Sequence, residues 1–278
     1  MNTAIEFKNI KKAYGNKVIL DGFHLSVAQG EFVTIIGSSG CGKTTALKMI
    51  NGLIEPTSGD IFVDGENIRE KNMTEFRRNI GYAIQGSVLF PHMTVEQNVS
   101  YVPNLINKKD KEKTKLAVSK WMKLVGLDDE LKDRYPSELS GGQQQRVGIA
   151  RALAASPNIL LMDEPFGAVD EITRGQLQNE LKQIHEKTGI TILFVTHDIS
   201  EALKLGTKVL VMDQGQIQQY AKADELLRNP NTDFVKRLVE KERRACFLPD
   251  ERLKNCEYSR AGCCAAAERD AVPVDHSG

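Results

Sequence analysis

A glycine-rich segment near the N-terminus has the residue types and the spacing to hold a phosphate chain. It fits the pattern G-x-x-x-x-G-K-[ST] and consists of Gly37, Ser38, Ser39, Gly40, Cys41, Gly42, Lys43 and Thr44, with Thr45 next as a further candidate contact. Glycines let the backbone curl so that successive N–H groups point at one anion. Lys43 would reach the β- and γ-phosphates, and Thr44 would supply a hydroxyl to Mg²⁺. The segment therefore predicts binding of a nucleoside triphosphate.

Glycine- and serine-rich stretches also form ordinary turns, so the flanking residues decide between the two interpretations. Before the segment, Phe32–Ile36 is a short apolar, β-branched run that is typical of a buried strand. After it, Lys43–Ile50 has the pattern of a helix start. Phosphate binding requires this order of strand, loop and helix, which favours a phosphate-binding loop over a plain turn.

A second chemical feature is a pair of carboxylates at the end of an apolar run. Ile159–Met162 is followed directly by Asp163 and Glu164. At the carboxyl edge of a parallel sheet such groups face the ligand crevice. Asp163 is suited to hold Mg²⁺, and Glu164 is placed to polarise an attacking water as a general base. A solvated strand end is the alternative, and the phosphate-binding loop earlier in the chain favours the functional interpretation.

A second anion site is predicted at the start of the helix that covers residues 144–155. Ser140 is a candidate N-cap, and the paired glycines Gly141 and Gly142, with Gln143, would expose the first N–H groups of the helix. The chain then has two anion sites for one terminal phosphate. This indicates that the second site serves a nucleotide held by another copy of the protein.

Hydrophobic periodicity predicts the elements that must position these residues. Short apolar runs separated by turn residues predict strands at Ile5–Phe7, Lys17–Leu20, Leu25–Val27, Ile61–Gly65, Ile80–Ile84, Ile159–Met162, Ile190–Val195 and Lys208–Met212. Gly15-Asn16 and Asp21-Gly22 are predicted turns. Helical periods cover about residues 94–153, and a further helix is predicted at about 173–186. The expected fold is α/β: a P-loop NTPase (RecA-like) parallel-sheet core with an N-terminal antiparallel β subdomain and an inserted α-helical subdomain.

Composition and charge narrow the class of protein. Lys plus Arg and Asp plus Glu number 37 each, so no basic excess favours nucleic acid as a partner. The longest aliphatic runs are a few residues, far short of the ~20 that a membrane-spanning helix needs. The first ten residues have the pattern of a strand and no apolar core of a secretion signal. We expect a cytosolic protein unless a partner holds it at a membrane.

The sequence pattern changes after about residue 240. We expect an ATPase domain over residues 1–240 and a disordered Cys- and Ala-rich tail over residues 241–278. Four of the five cysteines lie there: Cys246, Cys256, Cys263 and Cys264. Their spacing, even with His276, matches no zinc pattern, and the distribution is not that of a disulfide framework.

Five parts of the sequence together resemble the nucleotide-binding subunit of an ATP-binding cassette (ABC) transporter. They are Gly37–Thr44, Gln85, the pentapeptide Leu139–Gln143, Ile159–Glu164 and His197. The resemblance covers about residues 5–239 and implies that two cassettes pack head to tail. Each ATP, with Mg²⁺, would then lie between one phosphate-binding loop and the partner's Leu139–Gln143 segment.

The resemblance also implies roles for residues that carry little signal alone. Tyr14 would stack on adenine, and Gln85 would sense Mg²⁺ and the attacking water and link them to the transmembrane subunits. Asp170 would communicate across the dimer, although Val169 replaces the usual leucine before it. His197 would contact the γ-phosphate. For His197 the sequence adds support, because it follows a predicted strand and would lie at the same sheet edge as Asp163.

A finer resemblance is to importers of quaternary amines and osmoprotectants such as glycine betaine, choline and carnitine. It is carried by Ser87–Val95, Arg134–Pro136, Gly141–Arg146 and Glu164–Ala168. It implies a homodimer on the cytoplasmic face of the cell membrane, bound to transmembrane permease subunits and served by an extracytoplasmic substrate-binding protein. Members often carry paired regulatory CBS modules after the cassette, and the forty or so residues here are too few for one. Either this is a short member or the solute is different.

Two other classes of protein are weaker alternatives. Cassette ATPases of DNA repair or translation usually have two cassettes or a long coiled-coil insertion, and neither is visible. A P-loop kinase or small GTPase would carry a guanine or acceptor specificity motif and gives no reason for Leu139–Gln143. An importer for another small solute, such as an amino acid or a sulfonate, stays open.

Overall fold

The structure, a computed structural model, describes residues 2–84, 89–107, 110–167 and 169–246. Its strands are β1 (Thr3–Tyr14), β2 (Lys17–Ala28), β3 (Phe32–Gly37), β4 (Ser58–Val63), β5 (Glu66–Asn67), β6 (Ile80–Ala83), β7 (Ile159–Asp163), β8 (Thr191–Val195), β9 (Lys208–Asp213) and β10 (Gln216–Ala221). Its helices are α1 (Lys43–Ile50), α2 (Met73–Arg78), α3 (Val95–Ile106), α4 (Lys111–Leu124), α5 (Gly141–Leu153), α6 (Glu171–Thr188), α7 (Ile199–Leu205), α8 (Ala223–Arg228), α9 (Asp233–Leu238) and α10 (Glu240–Cys246). Among these helices, none is at once long enough and apolar enough to cross a bilayer.

A six-stranded sheet in the order β10-β9-β3-β8-β7-β6 forms the centre of the fold. β3 is parallel to β8 and β9, and β7 is parallel to β6 and β8. β10 joins the edge antiparallel to β9. Every residue of β7 and β8 is buried, as expected for strands covered on both faces. The predicted parallel-sheet core is confirmed, and it brings the carboxyl ends of β3, β7 and β8 to one edge.

The N-terminal strands form a separate antiparallel sheet in the order β2-β1-β4-β5. The predicted antiparallel subdomain is confirmed, but the predicted turn at Asp21-Gly22 is wrong. These two residues lie within β2, and between the pairs Ile10↔Phe23 and Lys12↔Leu20 they face the single residue Lys11. Gly22 has φ of 63°, so the Asp-Gly pair forms a bulge inside a paired strand instead of reversing the chain.

The inserted helical subdomain lies between β6 and β7, as predicted. It contains α3, α4 and α5, and its core joins that of the parallel sheet through buried Val99, Trp121 and Val147. α5 begins at Gly141, three residues before the predicted start, and ends at Leu153. α6 extends the predicted helix by two residues at each end.

The sequence analysis did not find the elements after β9. β10 carries three glutamines, and its alternation is too weak to indicate a strand without its partner β9. The short helices α8 and α9 pack beside it, and α10 packs against these two helices. α10 covers residues 241–246, which were assigned to a disordered tail, and residues 247–278 lie outside the described residues. Disorder of that remaining tail stays a prediction.

Glu31, in the turn before β3, is expected to stabilise the sheet in a pH-dependent way. Its carboxylate lies 2.6 Å from Lys208 Nζ and accepts hydrogen bonds from the Ala28 amide and the Tyr220 hydroxyl. Burial opposes ionisation, but these hydrogen bonds outweigh it and hold the pKa of Glu31 below its ordinary value of 4.5. A depressed pKa means that the unfolded chain binds more protons, so this stabilisation exists above pH 4.5 and is lost as the pH falls through the folded-state pKa.

Glu31→Gln should therefore lower the free energy of unfolding by about 1–2 kcal/mol at neutral pH. The difference from the parent should shrink below pH 4.5. Urea titrations followed by circular dichroism at several pH values would measure both effects. Glu66→Gln is the matched control, because Glu66 pairs with Lys71 at 2.9 Å but its side chain is 73% exposed. An equal loss in both variants at neutral pH would contradict the argument.

Candidate functional site

The phosphate-binding loop joins β3 to α1, as the sequence predicts. Lys43 is buried, and its ammonium donates hydrogen bonds to the carbonyl oxygens of Gly37 and Ser38 at 2.9 Å each. Cys41 is buried as well, with Sγ 3.9 Å from Lys43 Nζ. The Lys43 side chain thus lies folded back across the loop, where its ammonium contributes a positive charge. An anion in the loop would give this buried cation its counterion.

Two glycines of the loop are fixed by close contacts. A Cβ on Gly37 would lie 1.9 Å from the carbonyl oxygen of Met212, and one on Gly42 would lie 2.7 Å from Leu20 Cδ2. Both glycines also have positive φ, 150° and 105°. The loop is therefore held between β9 on one side and β2 on the other. This explains why only glycine fits at both positions.

Thr44 and Asp163 meet across the carboxyl edge of the sheet. The Thr44 hydroxyl donates to Asp163 Oδ1 at 3.0 Å, although 119 residues separate them. Burial raises the pKa of Asp163, and the nearby Glu164 adds to the rise, while Thr44, Lys48 and Lys43 oppose it. A buried carboxylate beside a hydroxyl is a hard-oxygen donor pair of the kind that Mg²⁺ prefers. A cation here would also relieve the unfavourable burial of the negative charge.

Glu164 and His197 form the second half of this cluster. His197 Nδ1 lies 3.6 Å from Glu164 Oε2, and the Glu164 amide donates to the Val195 carbonyl at 2.9 Å. Glu164 has φ of 45°, a left-handed conformation that few residues other than glycine adopt. Strained backbone of this kind concentrates at functional sites. The carboxylate is 28% exposed and the imidazole 70% exposed, so both are open to solvent and to a ligand.

Ser38 has a partner that the sequence analysis missed. Its hydroxyl donates to Asp213 Oδ1 at 2.5 Å, which ties the loop to the end of β9. The one signal in the sequence for this contact was position. Asp213 follows a predicted strand, so it is expected at the same sheet edge as Asp163. No spacing rule marks such a residue, since 175 positions separate the pair.

The start of α5 forms a capping box, as the N-cap prediction requires. Ser140 Oγ accepts from the Gln143 amide at 3.2 Å, and the Gln143 side chain accepts from the Ser140 amide at 2.9 Å. A Cβ on Gly142 would lie 2.7 Å from Thr173 Cγ2, so α6 packs closely against this helix start. Among the described residues, no hydrogen bond or ion pair joins Ser140 or Gln143 to the phosphate-binding loop of the same chain.

Of the remaining predicted site residues, Asp170 and Tyr14 belong to the part of the chain that the structure describes. Asp170 caps α6 by accepting from the Thr173 amide at 3.0 Å, and this hydrogen bond lowers its pKa. Tyr14, at the end of β1, is 50% exposed, and Lys12 Nζ lies 4.7 Å from the centre of its ring. An exposed ring on a strand end is free to stack on a base. Gln85 lies outside the described residues.

Comparison with known proteins identifies the family of this chain. The family model described as ABC transporter matches residues 20–167. The glycine betaine/carnitine/choline transport ATP-binding protein OpuCA of Bacillus subtilis is 51% identical over 247 residues, 88% of this chain and 65% of the relative. The glycine betaine uptake system ATP-binding protein YehX of Escherichia coli is 48% identical over 84% of this chain and 75% of the relative. The chain spans just under two thirds of the first of these relatives.

A solved structure supports the same assignment of the fold. The ATP-binding cassette MJ0796, a dimer in a post-hydrolysis state bound to ADP and Pi, superposes with a TM-score of 0.71. It is 35% identical, and the match covers 79% of this chain and 98% of that chain. The spermidine/putrescine import ATP-binding protein PotA of Haemophilus influenzae is a more distant relative, 43% identical over 84% of this chain and 62% of its own length.

Proposed function

Because this chain belongs to the ABC transporter family, we propose that it is the ATP-hydrolysing subunit of an importer of small solutes. One observation supports this above all: Thr44, Asp163 and Glu164 meet beside the phosphate-binding loop. The loop, the paired carboxylates and a histidine are the parts that hydrolysis of a bound triphosphate needs. The proposed activity is transfer of the γ-phosphoryl group of ATP to water, coupled to transport.

ATP would bind with its phosphates in the loop and its base on Tyr14. Lys43 would exchange its bonds to loop carbonyls for bonds to the β- and γ-phosphates. Thr44 and Asp163 fit Mg²⁺, since a hydroxyl and a carboxylate oxygen already lie 3.0 Å apart. Bound there, Mg²⁺ would neutralise charge on the phosphates. In the described ranges, no group of three or more His, Cys, Asp or Glu residues could hold a metal. This agrees with a cation that would take its other ligands from the nucleotide and from water.

Glu164 would act as the general base. Its carboxylate accepts a proton from the attacking water, whose oxygen bonds to the γ-phosphorus as the bond to the bridging β–γ oxygen breaks. The products are ADP and inorganic phosphate. His197, 3.6 Å from the same carboxylate, would orient Glu164 and contact the γ-phosphate. Gln85, placed by the resemblance alone, would sense the attacking water.

The second anion site requires another copy of the chain. The α5 N-terminus has the capped geometry of an anion site, but within the described part of the chain no hydrogen bond or ion pair joins Ser140 or Gln143 to their own phosphate-binding loop. In a head-to-tail homodimer, Ser140, Gly141, Gly142 and Gln143 would close over the partner's γ-phosphate. Asp170, at the start of α6 beside this segment, would lie near the same interface. ATP would then favour the closed dimer, and hydrolysis would release it.

Ser140→Ala tests the in-trans site. We expect unchanged ATP affinity of the monomer but at least tenfold weaker ATP-dependent dimerisation in the presence of Glu164→Gln, roughly the loss of one charge-assisted hydrogen bond. Analytical ultracentrifugation with ATP and Mg²⁺ measures dimerisation, and a fluorescent ATP analogue measures binding.

Thr94→Ala is the matched control for this test. Thr94 and Gln97 form the same capping box at the start of α3, so the variant loses an equivalent cap without touching the proposed site. The in-trans site is rejected if Ser140→Ala weakens binding of ATP to the monomer, or if both variants dimerise equally.

The solute and the partners follow from the relatives. OpuCA and YehX are named for glycine betaine, carnitine and choline systems, so a quaternary amine is the proposed solute. The proposed partners are transmembrane permease subunits, which would hold the chain at the cytoplasmic face of the membrane, and indirectly an extracytoplasmic substrate-binding protein. PotA relates the chain to polyamine import as well, at lower identity. A polyamine is thus the second candidate solute.

The identity of the solute can be tested by measuring solute uptake in cells whose protein carries Glu164→Gln. Radiolabelled choline and glycine betaine should no longer accumulate, whereas putrescine uptake should continue. The reverse pattern would assign the protein to polyamine import. Co-purification with ribosomes or DNA, and not with membrane proteins, would instead favour a cassette ATPase that serves no transporter.

A further inference from the structure

A buried polar contact beside the site has no part in the mechanism proposed above. Gln178 of α6 donates its side-chain amide to Glu201 Oε1 of α7 at 3.0 Å, and the two residues are only 8% and 5% exposed. A carboxylate is costly to bury, and glutamate is among the residues that are almost never fully buried without partners. Its position between two helices therefore calls for a physical reason.

Glu201 lies at the end of a short chain of hydrogen bonds that surrounds His197. The Asp198 amide donates to Thr196 Oγ1 at 3.0 Å, which closes a tight turn with His197 at its centre. Asp198 Oδ1 accepts from the Glu201 amide at 3.1 Å, so Asp198 caps α7 directly after this turn. His197 itself is 70% exposed, so the turn beneath it fixes its position more than packing around the ring does.

The Glu201 carboxylate receives support from both sides. Burial raises its pKa, while hydrogen bonding by Thr196 and by Gln178 lowers it. The hydrogen bond of this carboxylate to Gln178 ties the first turn of α7, directly after the His197 turn, to a side chain of α6. Glu164, Thr196, His197 and Glu201 also line one small crevice.

α6 makes a second, more exposed connection to the same turn. Arg174 lies 3.9 Å from Asp198 Oδ2, and it also donates to the Val169 carbonyl at 3.1 Å. α6 begins at its N-cap Asp170. The helix that starts at the proposed dimer interface is therefore attached twice to the segment that carries His197, once through Gln178 and once through Arg174.

We propose that Glu201 is a positioning residue for His197, and that its bond to Gln178 holds the His197 turn in a fixed relation to α6. Movement of α6 when a second copy binds would then be transmitted to His197 inside the same chain. The inference rests on the proposed ATPase function. It adds a role for two buried residues that do not touch the nucleotide.

Glu201→Gln in the full chain is the first test. An amide at position 201 can still pair with Gln178, but the charge-assisted hydrogen bond that the Glu201 carboxylate accepts from Gln178 becomes a weaker neutral one. We expect kcat for ATP hydrolysis to fall about tenfold through misplacement of His197, while the affinity for ATP changes by less than about twofold. Carbon-13 NMR of labelled histidine should show a shifted or broadened His197 signal, assigned with His197→Ala.

A reciprocal exchange supplies the rescue. In Gln178→Glu combined with Glu201→Gln, the amide of residue 201 donates to the new carboxylate, so a charge-assisted hydrogen bond again joins α6 to α7. This double variant should recover kcat to within about threefold of the parent, as expected when two residues act as one pair. It should also restore the His197 signal.

Glu180→Gln is the matched control, because Glu180 is another α6 carboxylate with a partly buried partner, but that partner is Arg146 of α5, at 2.6 Å. We expect it to leave the His197 signal unchanged. Parental kcat in Glu201→Gln, an impaired double variant, or an equal loss in Glu180→Gln would each overturn the inference. A parental chain without ATPase activity would instead reject the proposed function itself, so the two failures are distinguishable.

Discussion

Replacing Glu164 by glutamine is expected to slow ATP hydrolysis about 10²–10⁴-fold while ATP binding is retained. The amide has nearly the shape of the carboxylate but accepts no proton from the attacking water. The backbone at this position, with φ of 45° and its amide bonded to Val195, need not change. His197 loses the carboxylate partner at 3.6 Å and gains an amide oxygen or nitrogen at the same place. The variant should therefore bind ATP and stay in the closed dimer.

Two measurements distinguish loss of the general base from loss of the ATP-binding site. Steady-state phosphate release gives the rate, and size-exclusion chromatography with ATP and Mg²⁺ shows whether a stable dimer accumulates. Glu130→Gln is the matched control, since Glu130 is an exposed carboxylate on a 3₁₀ turn remote from the loop. Hydrolysis at the parental rate in Glu164→Gln would show that another group is the base. Loss of ATP binding would show that Glu164 mainly supports the loop.

The residues at strand ends were predictable from the sequence, and the structure shows why. Asp163 ends the buried strand β7, Glu164 follows it directly, and His197 lies two residues after the buried strand β8. Parallel strands end at one edge of the sheet. The local run of apolar residues determines where the strand lies in the sequence. The order of strands in the sheet then determines which residues lie next to the last residue of that strand. Thr44 reaches Asp163 for the same reason, because α1 begins where β3 ends.

Local patterns failed where the partner of a segment determines its shape. Asp21-Gly22 has the composition of a hairpin turn, and pairing with β1 converts it into a bulge. The glutamine-rich β10 is a strand because β9 provides an edge to pair with. In both cases the deciding contacts are made by another part of the chain. A short window of sequence contains no information about them.

Buried polar contacts were the least predictable part of the site. Ser38 with Asp213, and Gln178 with Glu201, consist of residue types that usually lie at the surface. Each side chain alone is typical of a solvated loop or helix face. Only the fold shows that two such side chains face each other, in a partly buried place for Ser38 and Asp213 and in a buried one for Gln178 and Glu201. This is why the proposal for Glu201 required the structure.

Replacing Gly37 by alanine is the other change with a large expected effect, and it concerns stability. The new Cβ would lie 1.9 Å from the Met212 carbonyl oxygen, well inside any tolerated contact. Gly37 pairs with Met212 in the β3–β9 ladder, and Met212 is fully buried, so neither strand can move away without breaking the centre of the sheet. We expect a loss of about 4 kcal/mol or more in the free energy of unfolding, or no soluble protein.

Gly40→Ala in the same loop provides the matched comparison, because it separates steric overlap from backbone strain. Gly40 has φ of 76°, but a Cβ there would meet no atom within 4 Å. Only the left-handed conformation is unfavourable, at about 1–2 kcal/mol. Urea unfolding followed by circular dichroism and by fluorescence of Trp121, the single tryptophan, measures both variants. If Gly37→Ala lost no more stability than Gly40→Ala, β9 would not hold the start of the loop as described, and the shape of the phosphate-binding loop would depend on its own residues alone.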